Sequence, residues 1–378
     1  MSEWTDARVP NARGELAESF YSVADAFAQN FEDELELGAN FAVILDGKLI
    51  ANICGGYTDR KKETPWSDDT ITCIYSTGKS VLTLLVARAV SDGLLEYDAP
   101  VSSVWPEFAA NGKSEITLAE VVSHQAGLAG LRDEMEPQTW LDWDAITARI
   151  AAMAPLWPPG SKNGYSPQLS GFVIGEVLRR VTRKTVGALI RDYDIDVYCG
   201  VSGDVAARAS YMRKPPAAPD LGALNEFKKI AFLKRWSAPG RVAIEDWMAA
   251  ELPASNMHAN ARALAEMVFP LANGGAVMGG EQIIREDVLR DVFRERIRGD
   301  DLVLPFNLSW SAGLMRNINA HFGPNENAFG HAGFGGSCVV IDPENRLTAA
   351  YVMNKMSPSL VGDPRAMRLI EALYDCLQ

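Results

Sequence analysis

Ser76 and Lys79 stand three positions apart in Ser76-Thr77-Gly78-Lys79, at the head of an apolar run, Ser80 to Ser91, that Gly93 ends as a helix. Residues i and i+3 of a helix share a face, so the hydroxyl and the ammonium come together. A serine hydroxyl is a poor nucleophile until a base takes its proton, and a lysine is such a base only when desolvation keeps it neutral. This helix is too apolar to lie on a surface, and it supplies the desolvating wall. The helix start also offers free backbone N–H groups, that of Ser76 included, which can hold the oxyanion of a tetrahedral intermediate. Taken alone, Ser-x-x-Lys reads equally well as an N-cap followed by a solvated lysine. Rival motifs fail. Gly78-Lys79-Ser80 lacks the glycine a phosphate loop needs at Cys73, Gly333-Phe334-Gly335-Gly336 has Cys338 where a dinucleotide fingerprint ends in glycine, and no Gly-x-Ser-x-Gly occurs.

Three more stretches follow Lys79: Ile116-Thr117-Leu118 leading to Ser123-His124-Gln125-Ala126-Gly127-Leu128, Pro159-Gly160 leading to Tyr165-Ser166-Pro167, and His331-Ala332-Gly333. With Ser76 to Lys79 they resemble the serine β-lactamase and penicillin-binding superfamily over nearly the whole chain, and look most like its class C-like, family VIII carboxylesterases. The resemblance implies that Tyr165 hydrogen-bonds the nucleophile and shares proton transfer with Lys79. It also implies that the N–H of Phe334 is a second oxyanion donor, and that His331 and Gly333 form a wall of the substrate site. A phenol beside an ammonium is expected to have its ionised form favoured, and which of Tyr165 and Lys79 is the formal base stays open. Without the resemblance, Tyr165 reads as a loop tyrosine and His331 as a structural histidine at a strand edge. Gly335-Gly336 is expected to let substrate approach the strand closely. His124, His258 and His321 have no partner at metal-ligand spacing, so no metal and no cofactor is expected.

The chain departs from the penicillin-recognising members at two places. Pro167 replaces an asparagine that helps hold a lactam's side-chain amide, and His331-Ala332-Gly333 replaces Lys-Thr-Gly, whose ammonium and hydroxyl bind the substrate carboxylate. An imidazole is largely neutral near pH 7. The expected substrate is therefore an uncharged ester.

The elements that must position these residues are legible in outline. Phe41 to Leu45 and Lys48 to Cys54 flank Asp46-Gly47, a strong hairpin signal. Ser337 to Ile341 and Arg346 to Met353 flank Asp342-Pro343-Glu344-Asn345, a second hairpin. Helical periods run over Leu16 to Phe31, Leu169 to Val181, Ala261 to Leu271 and Asp363 to Leu377, while Arg213 to Pro219 is an irregular loop. Isolated hairpins are unstable, so the two are expected to join in one sheet. The expected fold is α+β: an antiparallel sheet from both chain ends (1–65 and 302–378), an inserted mainly helical domain (66–301), and the site in the crevice between them.

The 378 residues are 47% hydrophobic and 22% charged, as in ordinary globular chains, and a net charge of -13 disfavours nucleic acid and anionic membranes as partners. Five scattered cysteines suggest neither a disulfide framework nor a zinc cluster. Met1 to Arg8 does not resemble an export signal, and no apolar run is long enough to span a bilayer, so a cytoplasmic protein is expected. These readings converge on a serine carboxylesterase hydrolysing small, short-acyl, uncharged esters through an acyl-enzyme on Ser76. The alternatives are a β-lactamase or D-alanyl-D-alanine peptidase, an acyltransferase, and a non-catalytic penicillin-binding-like module. The partner is a small ester, and oligomeric state is not legible.

Overall fold

The computed structural model describes residues 1–377. At Asp46-Gly47 both residues have positive φ (+49° and +74°), the hairpin geometry whose twist matches that of the strands it joins. The first chain end supplies β1 (Ser2–Glu3), β2 (Arg13–Leu16), β3 (Gly38–Leu45) and β4 (Lys48–Gly56). From the middle come β5 (Thr72–Cys73), β6 (Val197–Tyr198) and β7 (His258–Ala259), a small separate sheet in the order β5-β7-β6. The last third supplies β8 (Ile297–Asp300), β9 (Asn307–Trp310), β10 (Met315–Arg316), β11 (Phe329–Ala332), β12 (Cys338–Asp342) and β13 (Leu347–Met353). Together with β1 to β4 these form a ten-stranded antiparallel sheet, β1-β2-β4-β3-β13-β12-β11-β10-β9-β8. The two hairpins meet where β3 pairs with β13, from Leu45 opposite Leu347 to Ala39 opposite Met353.

The central strands read as continuous apolar runs because both faces are covered. With a side-chain period of two, Ala42, Ile44, Val339, Ile341, Ala350 and Val352 enter one core. Phe41, Val43, Val340, Ala349, Tyr351 and Met353 enter the other. The second face is closed by α1 (Tyr21–Glu32) and the terminal Pro364–Asp375 helix, which Asp363 caps by accepting from the N–H of Arg365. The first is closed by the Ala261–Ala272 helix, which packs on β3 and β13 and against α2 (Lys79–Ser91). The short α3 (Leu118–Val122), α4 (Trp143–Ala152) and α5 (Leu169–Thr182) complete the helical layer around α2.

The expected helix from Leu16 begins later, at Tyr21, because Arg13 to Leu16 pair with β4 and bury Leu16 in the second core. Sheet pairing outweighs local helical period there. Residues 214–225 form neither helix nor strand, as the prolines dictate.

Candidate active site

The chain leaves β5 through Ile74 and turns sharply at Tyr75, which sits in the left-handed region at φ +47°. For a residue with a side chain this costs ~1–3 kcal/mol, a strain the surroundings must hold. Tyr75–Gly78 forms a tight 3-10 turn, and Lys79 opens α2. Gly78 is required because a Cβ there would lie 2.9 Å from the Met257 sulfur. The turn leaves Ser76 half-buried at the surface of a cavity and Lys79 beneath it, 5% exposed.

Lys79 Nζ lies 3.1 Å from Ser76 Oγ and 2.9 Å from the Tyr165 hydroxyl, and it donates to the carbonyl oxygens of Pro167 and Ala254 at 3.1 Å each. Two N–H bonds are thus taken by carbonyls, which turns the remaining position of the nitrogen toward Ser76 and Tyr165. Among the described residues no carboxylate pairs with it. Burial alone brings its pKa down to about 7, so near neutral pH much of it is an amine with its lone pair facing the two hydroxyls. The substitution of proline at 167 leaves this anchoring intact, because the backbone carbonyl performs it.

Tyr165 behaves differently from the sequence expectation. Burial dominates and pushes its phenol well above the usual range; the hydrogen bond with Ser76 opposes this, and the charge of Asp301 adds to it. The phenol is therefore held protonated, and the ammonium beside it does not reverse this. Its ring stacks on Trp310 (5.9 Å, 14° between planes) and meets the edge of His124 at 4.8 Å. Asp301 fixes its backbone: that carboxylate accepts from the N–H of Tyr165 at 3.0 Å, of Val303 and Leu304 at 2.8 Å each, and from Asn163 Nδ2 at 3.1 Å. Sequence reasoning did not single out Asp301, which lies 136 positions from Tyr165 in a loop without a motif.

The N–H groups of Ser76 and Phe334 have no protein acceptor among the described residues, and both residues line the cavity. The strand end carrying Phe334 presses on the turn that carries Ser76. A Cβ on Gly333 would meet Ser337 Oγ at 2.2 Å, the Ile74 carbonyl at 2.3 Å and Thr77 Oγ1 at 2.7 Å. Ser337 Oγ in turn bonds Thr77 Oγ1 and the Ile74 carbonyl, each at 2.9 Å.

Two expectations about this strand need correction. His331 and Gly333 do not line the cavity; Ala332 and Phe334 do, since successive side chains of a strand face opposite ways. His331 is fully buried beside Tyr165 and Trp310, its Nδ1 is 2.8 Å from the Ala332 carbonyl, and burial together with the nearby Lys79 brings its pKa down to about 3. It is a neutral packing group. Gly335 and Gly336 are glycines for internal reasons as well as for their positive φ: a Cβ on the first would meet Met356, and on the second Arg365 and Asp363.

His124 is buried and accepts from the Ser166 N–H at 3.3 Å, and His258 Nδ1 sits 2.8 Å from the Asn256 carbonyl. Among the described residues no three His, Cys, Asp or Glu side chains are grouped as metal ligands. Nor is any helix long and apolar enough to cross a membrane.

The cavity at Ser76 holds about 490 Å³ and is walled mainly by apolar side chains, with Gln168, Ser237 and Ser255 as polar contributors beside Ser76 and the phenols. The sequence offered two aromatic-rich stretches as candidate walls, each of which helical packing would explain as well: Phe227 to Trp236 supplies Phe232 and Leu233 to the cavity, whereas Trp140 and Trp143 of the other pack on Phe172 instead.

The beta-lactamase family model matches residues 27–373 of the chain. The esterase/beta-lactamase LipL of Mycobacterium tuberculosis is 32% identical over 368 residues, covering 90% of this chain and 82% of LipL. A penicillin-binding protein homolog from Caulobacter crescentus superposes with a TM-score of 0.94 at 43% identity, over 98% of this chain and all of that one (100%). A family VIII carboxylesterase superposes at 0.88 with 36% identity, over 97% and 99% of the two chains. With the match running through both halves of the sheet and the helices between them, the chain belongs to the beta-lactamase family.

Proposed function

We propose that the protein is a serine carboxylesterase that hydrolyses small uncharged esters, short-acyl ones among them, through an acyl-enzyme on Ser76. The observation that carries this reading is the carboxylate-free contact of Lys79 with both Ser76 and Tyr165 at the edge of an apolar cavity. Lys79, as the neutral amine, takes the proton of Ser76 Oγ while the oxygen attacks the ester carbonyl. The N–H groups of Ser76 and Phe334 hold the oxyanion as the carbon–oxygen double bond opens. The intermediate collapses by expelling the alcohol oxygen, which takes the Tyr165 hydroxyl proton as Lys79 returns one to Tyr165. Water then attacks the acyl-enzyme, losing a proton to the same pair, and Ser76 is regenerated with release of the acid. Lys79 is the base in this scheme and Tyr165 the relay, because burial makes the amine available and keeps the phenol protonated.

A β-lactamase activity is the second reading, favoured by the likeness to LipL, an esterase/beta-lactamase. Among the described residues the cavity wall carries no lysine, arginine or histidine to take up a lactam's carboxylate, which supports esters over lactams as the substrates. The test is the rate of p-nitrophenyl butyrate hydrolysis by the protein and by its Ser76→Ala variant. The expected loss in a still-folded variant is ~10⁴-fold or more. Equal rates would overturn the reading.

A further inference from the structure

One wall of the cavity is a turn of unusual geometry. Lys229–Leu233 is a π-turn, closed by the N–H of Lys234 on the carbonyl of Lys229 at 3.1 Å. In an ordinary helix three consecutive residues fan over about 200° and cannot all face one cavity. The wider turn narrows the fan, and Ala231, Phe232 and Leu233 all line the space above Ser76. Leu233 is 53% exposed at the rim, while Phe232 is half-buried.

The wall is anchored from three sides. Ser237 Oγ donates to the Ile230 carbonyl at 2.7 Å, and the turn presses so closely on Gly130 that a Cβ there would lie 2.8 Å from the same carbonyl. The buried ammonium of Lys228 holds the Leu221 and Ala223 carbonyls at 2.6 and 3.0 Å, and Asn225 Nδ2 holds the Leu302 carbonyl at 2.9 Å. Leu221 and Leu304 extend the apolar surface from these anchored segments. Of the polar side chains on the wall, Ser255 Oγ donates to Gln168 Oε1 at 2.8 Å and Ser237 Oγ to the Ile230 carbonyl at 2.7 Å, so neither hydroxyl proton is left for a substrate. Among the described residues, the ionisable side chains on the wall are the phenols Tyr75 and Tyr165.

A preformed cavity of about 490 Å³ falls in the size range that buries drug-sized molecules. An acetyl or butyryl group leaves most of its apolar wall against water. Resting on the esterase reading above, we propose that the preferred substrates are uncharged esters with an apolar arm of about six carbons or more, and that Phe232 and Leu233 are the residues that select it. The arm belongs to the acyl or to the alcohol side of the ester, and both present the same chemistry to this wall.

The test is kcat/KM along two series, p-nitrophenyl esters from acetate to decanoate and alkyl acetates from ethyl to decyl, for the wild-type protein, Phe232→Ala and Leu233→Ala. In one series kcat/KM is expected to climb beyond four carbons, by up to about fourfold for each methylene buried. The series that climbs identifies the arm. In that series the two variants are expected to lower the ratio of eight-carbon to two-carbon ester by threefold or more. Leu233 is at the rim, so its variant keeps the comparison open should Phe232→Ala fold poorly. A fall beyond four carbons in both series, or a ratio that neither variant moves, overturns the proposal. Should butyrate hydrolysis depend on Ser76 and yet the series fall, only this inference fails; should it not depend on Ser76, the esterase reading itself fails.

Discussion

At the scale of single residues, the chemistry rests on how water is kept from Lys79. A lysine held by two carbonyls at 3.1 Å, with no carboxylate paired to it among the described residues and a pKa brought down to about 7, is largely an amine above neutral pH and an ammonium below it. For an uncharged ester, kcat/KM is expected to rise about tenfold per pH unit up to about 7 and then stay level to about 10, since burial keeps Tyr165 protonated. A pH–rate profile with p-nitrophenyl butyrate checks this; activity undiminished at pH 5 would contradict it. The same burial has a stability cost with a definite sign. Between about pH 7 and the ordinary lysine value of ~10.4, the unfolded chain binds a proton here that the folded protein has lost, so folding stability rises with pH across that window. Lys79→Met is expected to abolish activity and yet to raise Tm by several degrees at pH 6, with the gain shrinking toward pH 10. Calorimetry at the two pH values decides it.

At the scale of elements, the site is a seam between the turn that carries Ser76 and the end of β11. Gly333 is where they touch, and its missing side chain is what allows the strand end before Phe334 to lie against the turn that carries Ser76. Two of the three atoms that a Cβ would strike, the Ile74 carbonyl and Thr77 Oγ1, belong to the turn carrying Ser76. Gly333→Ala is therefore expected to lower kcat by roughly 100-fold or more, the cost of displacing one oxyanion donor. KM is expected to change far less, and Tm to fall by a few degrees. A variant that folds and works at wild-type rate would refute the seam. The ends of this seam were readable in the chain as Ser76-Thr77-Gly78-Lys79 and His331-Ala332-Gly333, because each is a local run of residues. The phase of β11 was not readable: a one-residue shift exchanges His331 for Ala332 at the cavity, and only pairing with β10 and β12 sets it.

At the scale of the molecule, the last helix is tied to the first part of the chain and to the glycine turn by one buried cation. Arg365 is 4% exposed at its side chain and pairs with Asp363 at 2.9 Å and Glu36 at 3.1 Å. It also donates to the Gly335 carbonyl at 2.8 Å and the Lys355 carbonyl at 2.7 Å. Removing it leaves two buried carboxylates without their partner. Arg365→Met is expected to cost ~3–5 kcal/mol of stability, measured by urea unfolding. A loss below ~1 kcal/mol would show that water or a neighbour replaces the guanidinium.

The amino-acid sequence by itself determined what depends on short stretches: the hairpin at Asp46-Gly47, the terminal helix after Asp363, and the motif that places Ser76 one turn before Lys79. It also determined the class of sheet, because two apolar hairpins at opposite chain ends must pair to become stable. Tertiary structure alone decided what depends on contacts between distant segments. Asp301 reaches Tyr165 across 136 positions, Ala254 offers its carbonyl to Lys79 across 175, and Trp310 lies against the Tyr165 ring. Backbone carbonyls and N–H groups carry much of this work, and every residue type has them, so no pattern of side chains marks which ones face the site. Desolvation likewise belongs to the packed molecule: Lys79 is an ordinary lysine until the surrounding helices and the sheet exclude water from it.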